Sequence, residues 1–199
     1  MRTHGKALIH AVRHFIGLDQ PRTQTTASER RSLLVHARGK RRAIEIGVYE
    51  AANTTAIAEA LAPDGALYAI DPFFPGRLGV SWGEVIARRE IRRHRVGGKV
   101  RFVKMLSWEA CRSLEGTFDF VFVDGDHSLE GITRDWNDWA GRVDPGGTIA
   151  LHDTRVPDHD PSIAELGSVS YFDSHIRHDP RFELVEQTDS LSVLQRVSS

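Results

Sequence analysis

Cysteine is almost missing from this chain: Cys111 stands alone among 199 residues. That excludes a disulfide framework, a thiolate zinc cage and a dithiol redox pair. Long apolar runs are missing too. No stretch approaches the ~18 unbroken apolar residues of a membrane span. His10, Arg13 and His14 interrupt the N-terminal segment before it could form a secretory apolar region. No G-x-x-x-x-G-K-[ST] occurs, which removes the P-loop nucleotide hydrolases. Nor is there a charge excess, since 26 Lys+Arg face 27 Asp+Glu. With 40% apolar residues, the composition is that of a soluble globular domain with a sizeable core. The expected compartment is the cytoplasm, with no membrane partner.

The even balance hides an asymmetry. Residues 1–44 hold ten Lys/Arg against Asp19 and Glu29, a net of +8, leaving -9 for the remainder. A basic arm on an acidic body admits nucleic-acid contact, but a solvated helical cap on the acidic remainder is the preferred reading. Residues 1–42 are expected to form that cap, with Leu8, Val12 and Phe15 on one face of an amphipathic helix. Residues 43–199 are expected to form the main domain.

From residue 43 onward, short apolar runs alternate with helical patterns. Residues 43–48, 66–70, 100–103, 118–123 and 148–151 are predicted buried strands, short and bounded by Gly, Pro or charge. Residues 51–62, with Ile57, Ala60 and Leu61, are predicted helical. So are residues 128–143, with Leu129, Ile132, Trp136, Ala140 and Val143 at helical spacing. Residues 182–186 and 191–194 are two further short strands, expected to close the chain as a hairpin around 187–190. The implied fold is α/β: a doubly wound, mostly parallel Rossmann-like sheet with a C-terminal antiparallel hairpin. Ligands of such sheets bind beyond the carboxyl ends of the strands, so those ends carry the functional question.

The first strand runs into Glu45-Ile46-Gly47-Val48-Tyr49-Glu50-Ala51-Ala52-Asn53. Gly47 permits a tight turn with backbone close to a ligand. A dinucleotide fingerprint would require glycine at Tyr49 and Ala52, so a dehydrogenase fits poorly. The second strand ends in Asp71, where a carboxylate can accept both hydroxyls of a ribose. The fourth ends in Asp124-Gly125-Asp126-His127 and the fifth in His152-Asp153-Thr154. If those strands are neighbours, ~4.8 Å apart, Asp124 and Asp153 can share one cation. Oxygen donors with one imidazole suit Mg²⁺ or Mn²⁺.

These residues carry a resemblance. E-I-G-V-Y-E-A-A-N, the strand-end Asp71 in Y-A-I-D-P-F, V-F-V-D-G-D-H and D-P-G-G-T-I-A-L-H-D-T resemble the class I S-adenosylmethionine-dependent methyltransferases. Within them the closest likeness is to the metal-dependent small-molecule O-methyltransferases of catechol, caffeoyl-coenzyme A and macrolide-sugar type. The resemblance implies transfer of a methyl group to a sugar or phenolic hydroxyl, with S-adenosylmethionine as cofactor and a small-molecule acceptor. Glu45, Gly47 and Asn53 would hold the amino-acid end of the cofactor, Asp71 its ribose, and Ser107 with Trp108 its adenine. Asp126 completes the cofactor-side set. Asp124, His152 and Asp153 would be metal ligands, and His127 or else His152 the general base, since an imidazole can accept a proton near neutral pH. Two departures stand out: Ala51 replaces the second glycine of the first motif, and His152 stands where a carboxylate is usual. Assembly as a homodimer is compatible with this reading.

Two rivals come from the same residues. Gly79-Val80-Ser81-Trp82-Gly83 matches G-x-S-x-G, with Asp153 and His175 in the chain order of a serine hydrolase. The prolines at 72 and 75 argue against the strand this motif should follow. A nucleic-acid methyltransferase would use the basic arm, but D-G-D-H occupies the place of the Asn/Asp-Pro-Pro-Tyr motif that base-methylating enzymes share.

Overall fold

A computed structural model of the chain describes residues 3–76 and 79–198. Met1, Arg2 and Ser199, included in the expected cap and main domain, lie outside the described residues. Seven strands form one sheet: β1 (Arg42–Ile46), β2 (Ala66–Ile70), β3 (Val100–Val103), β4 (Phe118–Val123), β5 (Val143–Leu151), β6 (Phe182–Thr188) and β7 (Leu191–Arg196). Their order is β3-β2-β1-β4-β5-β7-β6, parallel except for β7, which pairs antiparallel with both β5 and β6. The expected hairpin is present, and its second strand is the one inserted into the sheet.

Helices cover both faces. On one lie α1 (Thr3–Phe15), α2 (Ala27–Ala37), α3 (Ala52–Ala60) and α4 (Trp82–Arg93). On the other lie α5 (Ser107–Ser113), α6 (Leu129–Trp139) and α7 (Gly167–Ser174). The period-2 alternation of the strands divides the core accordingly. In β1, Ala43 packs with Leu33, Ile57 and Ile91 on the first face, whereas Ile44 and Ile46 pack with Ile132, Trp136 and Phe172 on the second. Leu33 and Ala37 place α2 firmly in the core.

Three predicted elements differ in ways that have physical causes. β5 begins at Val143 rather than Thr148, because the ladder partner moves from Phe118↔Val143 to Phe120↔Thr148, leaving Asp144–Gly147 as a bulge. Asp119, the single residue facing that bulge, turns its carboxylate to the backbone N–H groups of Arg41 and Arg42. The helix predicted for 128–143 stops at Trp139, with Ser128 as its cap, and Leu129 is exposed rather than inward. The face expected to bury α1 is the wrong one. Leu8, Val12 and Phe15 are exposed, while His10, Ala11 and His14 are buried. Carboxylates make the difference: His10 lies between Glu50 (2.9 Å) and Asp19 (3.0 Å), and His14 lies 3.1 Å from Glu90. The imidazoles turn inward because each lies against a carboxyl group. Cations of the basic segment are likewise engaged within the chain. Arg13 bonds Asp19, Arg30 bonds the Ala52 carbonyl, and Arg41 pairs with Asp64. Among the described residues no helix is long and apolar enough to cross a membrane.

Candidate active site

The ends of β1, β2 and β4 open into a cleft of about 650 Å³. Gly47 is where this geometry is most restrictive. Its φ is +88°, and a Cβ built there would lie 1.9 Å from the Asp124 carbonyl oxygen, so only glycine lets the ends of β1 and β4 approach. Past Gly47 the chain takes left-handed turns without glycine, at Tyr49 (φ 51°) and Ala51 (φ 63°). Phe73 and Asp153, just past β2 and β5, are also left-handed. Four strained non-glycine residues at three strand ends fit a surface whose geometry is fixed by a ligand.

Asp71 braces the turn. Its Oδ2 accepts from the N–H groups of Val48 and Tyr49, both at 3.0 Å, and Oδ1 accepts from Phe73 N–H at 2.7 Å. A carboxylate offers about four acceptor directions, so room remains on its cleft side. Gly47, Asn53, Asp71, Ser107, Trp108 and Asp126 all line this cleft, together with Asp124 and His127. Asn53 accepts from the Thr25 hydroxyl at 2.9 Å, and Ser107 accepts from the buried Trp139 indole at 2.8 Å. Asp135, also in the lining, has its carboxyl pushed up to about 6, chiefly by burial and partly relieved by the Ser107 hydroxyl. Glu45, expected at the cofactor's amino-acid end, lies elsewhere. It is fully buried, outside the cleft lining, and among the described residues neither oxygen has a hydrogen-bond partner of good geometry. Burial drives its carboxyl well above the ordinary range, with the Thr54 hydroxyl opposing.

A second cavity of about 490 Å³ adjoins the first, and among their lining residues only Gln24 and His127 belong to both. β4 and β5 are neighbours in register, Val123 opposite Leu151, which brings their end residues together. His127 Nε2 lies 3.5 Å from Asp124 Oδ1 and 3.7 Å from Asp153 Oδ2. His152 Nδ1 lies 3.0 Å from Asp124 Oδ1 and 3.4 Å from Asp153 Oδ1. Asp124, His127 and His152 offer donor atoms all within 4.8 Å of one another, the spacing a metal ion requires. The electrostatics are those of a caged imidazole. Burial alone would lower the His152 pKa, yet the Asp124 and Glu29 carboxylates raise it to about 10. Burial alone would raise Asp124, yet His127 and His152 hold it at about 2.

Sequence reasoning passed over Glu29. It is 1% exposed on α2, 3.4 Å from His152 Nε2. Its Oε2 accepts from Thr26 N–H at 2.7 Å, and Oε1 accepts from the N–H and hydroxyl of Ser190 at 2.8 and 2.7 Å. His152, Ser190 and Thr26 together hold its carboxyl at about 2 against a burial effect of opposite sign. The signal was available: Thr26-Ala27-Ser28-Glu29 is an S/T-x-x-E capping box. It marks a helix start, however, and says nothing about what else that glutamate meets.

The hydrolase parts are employed elsewhere. Ser81 caps α4 by accepting from Glu84 N–H, and His175 hydrogen-bonds Ser174 and stacks on Tyr171.

Comparison with known proteins agrees with this layout. Residues 44–154 match the family described as "Methyltransferase domain", and the chain belongs to that family. It is 28% identical to tricin synthase 1 of Oryza sativa over 198 aligned residues, covering 87% of this chain and 75% of that protein. It is 27% identical to an uncharacterized protein of Sinorhizobium fredii, of which it spans only 16%. An O-methyltransferase from Bacillus cereus, solved in complex with SAH, superposes with a TM-score of 0.68 at 19% identity, covering 97% of this chain and 91% of that one. The fold is thus that of the class I methyltransferases; Gly47, Asn53, Asp124, Asp126 and His127 line the cleft at the carboxyl ends of the strands, whereas Asp144–Gly147 lies at the opposite end of β5.

Proposed function

We propose that the chain moves the methyl group of S-adenosylmethionine to a hydroxyl of a small polar acceptor. The observation that carries this reading is the position of His127, among the described residues the one titratable side chain that lines both cavities. The larger cleft takes the cofactor, with its ribose on Asp71, its adenine beside Ser107 and Trp108, its amino-acid end over Gly47 and Asn53, and Asp126 among its contacts. The smaller cavity takes the acceptor. The acceptor oxygen attacks the sulfonium methyl, the S–CH₃ bond breaks as the O–CH₃ bond forms, and the hydroxyl proton passes to His127. Gln24 sits at the same junction and orients the two reactants.

The lining of the smaller cavity favours a sugar-like acceptor over a flat phenol. Its side chains include Thr26, Glu29, His159, Asp160 and Ser162, its only apolar members are Ile163 and Leu166, and no Phe, Tyr or Trp lines it among the described residues. A planar ring would look for apolar or aromatic walls.

Asp124 and His152, with His127 beside them and Asp153 bordering His152, fit a divalent cation. His152 Nδ1 is buried and without a hydrogen-bond partner among the described residues, despite two carboxylates within 3.4 Å. When bound, such a cation lowers the pKa of a coordinated hydroxyl and fixes its direction. The test is S-adenosylhomocysteine release, measured with sugar and phenolic hydroxyl panels alongside calorimetric titration of the cofactor. Turnover on polyhydroxylated acceptors is expected. A protein that binds no S-adenosylmethionine overturns the reading.

A further inference from the structure

We propose that the Asp124–His152–Asp153 cluster is built for a borderline transition ion such as Co²⁺, Mn²⁺ or Zn²⁺ in preference to Mg²⁺. We assign Glu29 as the positioning residue that aims His152 into it. The inference rests on the metal reading above and deepens it. Its starting point is the orphaned ring nitrogen. His152 is 3% exposed, and Nδ1 lies 3.0 Å from Asp124 Oδ1 and 3.4 Å from Asp153 Oδ1 while hydrogen-bonding to neither. Asp124 and His152, with His127, offer donor atoms all within 4.8 Å of one another, and Asp153 borders the group beside His152. Ligand bonds of about 2.0–2.2 Å at roughly right angles set neighbouring donors about 3 Å apart.

The ring cannot swing away. Its backbone N–H bonds the Val123 carbonyl at 3.0 Å, and on the far side Nε2 meets Glu29 Oε2 at 3.4 Å. Glu29 is itself immobilised by Thr26 and by both donors of Ser190. With Nε2 directed to a fixed carboxylate, Nδ1 faces Asp124 and Asp153, and a cation binding there takes the place of the Nδ1 proton. That carboxylate–histidine–metal arrangement sets ring orientation and raises donor strength. Mg²⁺ prefers oxygen ligands and retains its waters, whereas imidazole nitrogen favours the first-row transition ions. A segment remote in sequence, α2 with the β6–β7 turn, thereby governs which ion the strand ends accept.

The test is calorimetric titration of the metal-free full-length protein with CoCl₂, ZnCl₂ and MgCl₂ at one ionic strength, with the visible d–d spectrum of Co²⁺ recorded in parallel. One Co²⁺ per chain is expected, bound at least tenfold more tightly than Mg²⁺. Glu29→Gln is expected to weaken Co²⁺ by about 10–100-fold with a shifted spectrum. His152→Asp is expected to bring Mg²⁺ to within a few-fold of Co²⁺ by restoring an all-oxygen set. Should Glu29→Gln fail to fold, Ser190→Ala, which removes one of the four bonds to that carboxylate, carries the same comparison at smaller amplitude. Co²⁺ uptake no greater than that of an Asp124→Asn/Asp153→Asn protein overturns the inference, as does Mg²⁺ binding as tight as Co²⁺. S-adenosylmethionine titration on the same samples separates this from failure of the methyltransferase reading. A chain that binds the cofactor and ignores Co²⁺ loses only the metal inference.

Discussion

The larger cleft and the smaller cavity share Gln24 and His127, yet they are assembled from different materials. The cleft is made mostly of strand ends and the turns that follow them: Gly47 and Asn53 after β1, Asp71 after β2, Ser107 after β3, Asp124 and Asp126 after β4. The cavity adds to His127 and the β5-end pair His152 and Asp153 walls drawn from outside the sheet. Thr26 and Glu29 come from the start of α2, residues 159–166 from the loop past β5, and Ser190 from the hairpin turn. A parallel sheet dictates where its carboxyl ends converge, so a cofactor edge is a property of the fold. An acceptor wall built from loops and a capping segment is a property of the individual chain, and this is where substrate choice resides.

If His127 serves the junction, His127→Ala separates chemistry from binding more sharply than any other change. Turnover should fall about 10²–10⁴-fold, the usual worth of general-base catalysis, while calorimetric affinity for S-adenosylmethionine stays within about twofold. Turnover that scarcely changes, with His152→Ala abolishing it, would move the base from the end of β4 to the end of β5.

Asp71→Ala attacks the cleft alone. Each charge-assisted hydrogen bond lost is worth about 1.5–3 kcal/mol, so cofactor affinity should weaken at least tenfold, read by calorimetry. The Val48, Tyr49 and Phe73 N–H groups also lose their acceptor, which lowers the melting temperature as well. Asp71→Asn, retaining one acceptor oxygen, should fall between the two proteins. Unchanged affinity in a folded Asp71→Ala protein would mean that the carboxylate only braces the turn.

Much of this contrast was legible in the sequence, and the reasons are physical. Phe118–Val123 is a strand from end to end because a central parallel strand is a nearly continuous apolar run, whereas Val100–Val103, expected to be buried, is an edge strand with no fully buried residue and Arg101 exposed in its middle. Gly47, Asp71 and Asp124 could be placed because strand ends follow from strands. Glu29 could not, since its capping box predicts a helix start, and its approach to His152 spans 123 positions. α1 was misread for a related reason. Periodicity ranks Leu8, Val12 and Phe15 above histidine, but the choice was made by Glu50 and Glu90, carboxylates far along the chain that a helical wheel does not contain. Glu45 marks the other limit: strand position places its backbone correctly, yet the pleat turns its side chain to the α2–α3 face.

Asp135 offers a pH-resolved check on the cleft. Its carboxyl is raised from 3.8 to about 6, burial being the main cause. Between about pH 4 and pH 6 the folded chain therefore binds more protons than the unfolded one, and stability falls as pH rises through that window. Above it the penalty is complete, about 2–3 kcal/mol. Asp135→Asn should remove it, raising stability by that amount at pH 7–8 in urea titrations and by almost nothing near pH 3.5. An equal gain at both pH values would show that packing rather than ionisation is responsible.

The smallest expected effect tests whether the cavity is separable from the cleft. The Thr26 hydroxyl accepts from Glu29 N–H at 3.1 Å, closing the capping box, and donates to Asp189 at 2.6 Å in the hairpin turn. Thr26→Ala should cost about 1 kcal/mol of stability, the ordinary worth of an N-cap. The consequence for binding depends on which groups it releases. Thr26 and Glu29 both line the smaller cavity and neither lines the larger. The acceptor KM should therefore rise severalfold while cofactor affinity remains at its original value. Thr26→Ser, which keeps both hydrogen bonds, should restore the KM. A parallel loss of cofactor affinity in Thr26→Ala would show that α2 supports both cavities as one body, and that the division drawn between strand-end cleft and loop-built cavity does not hold energetically.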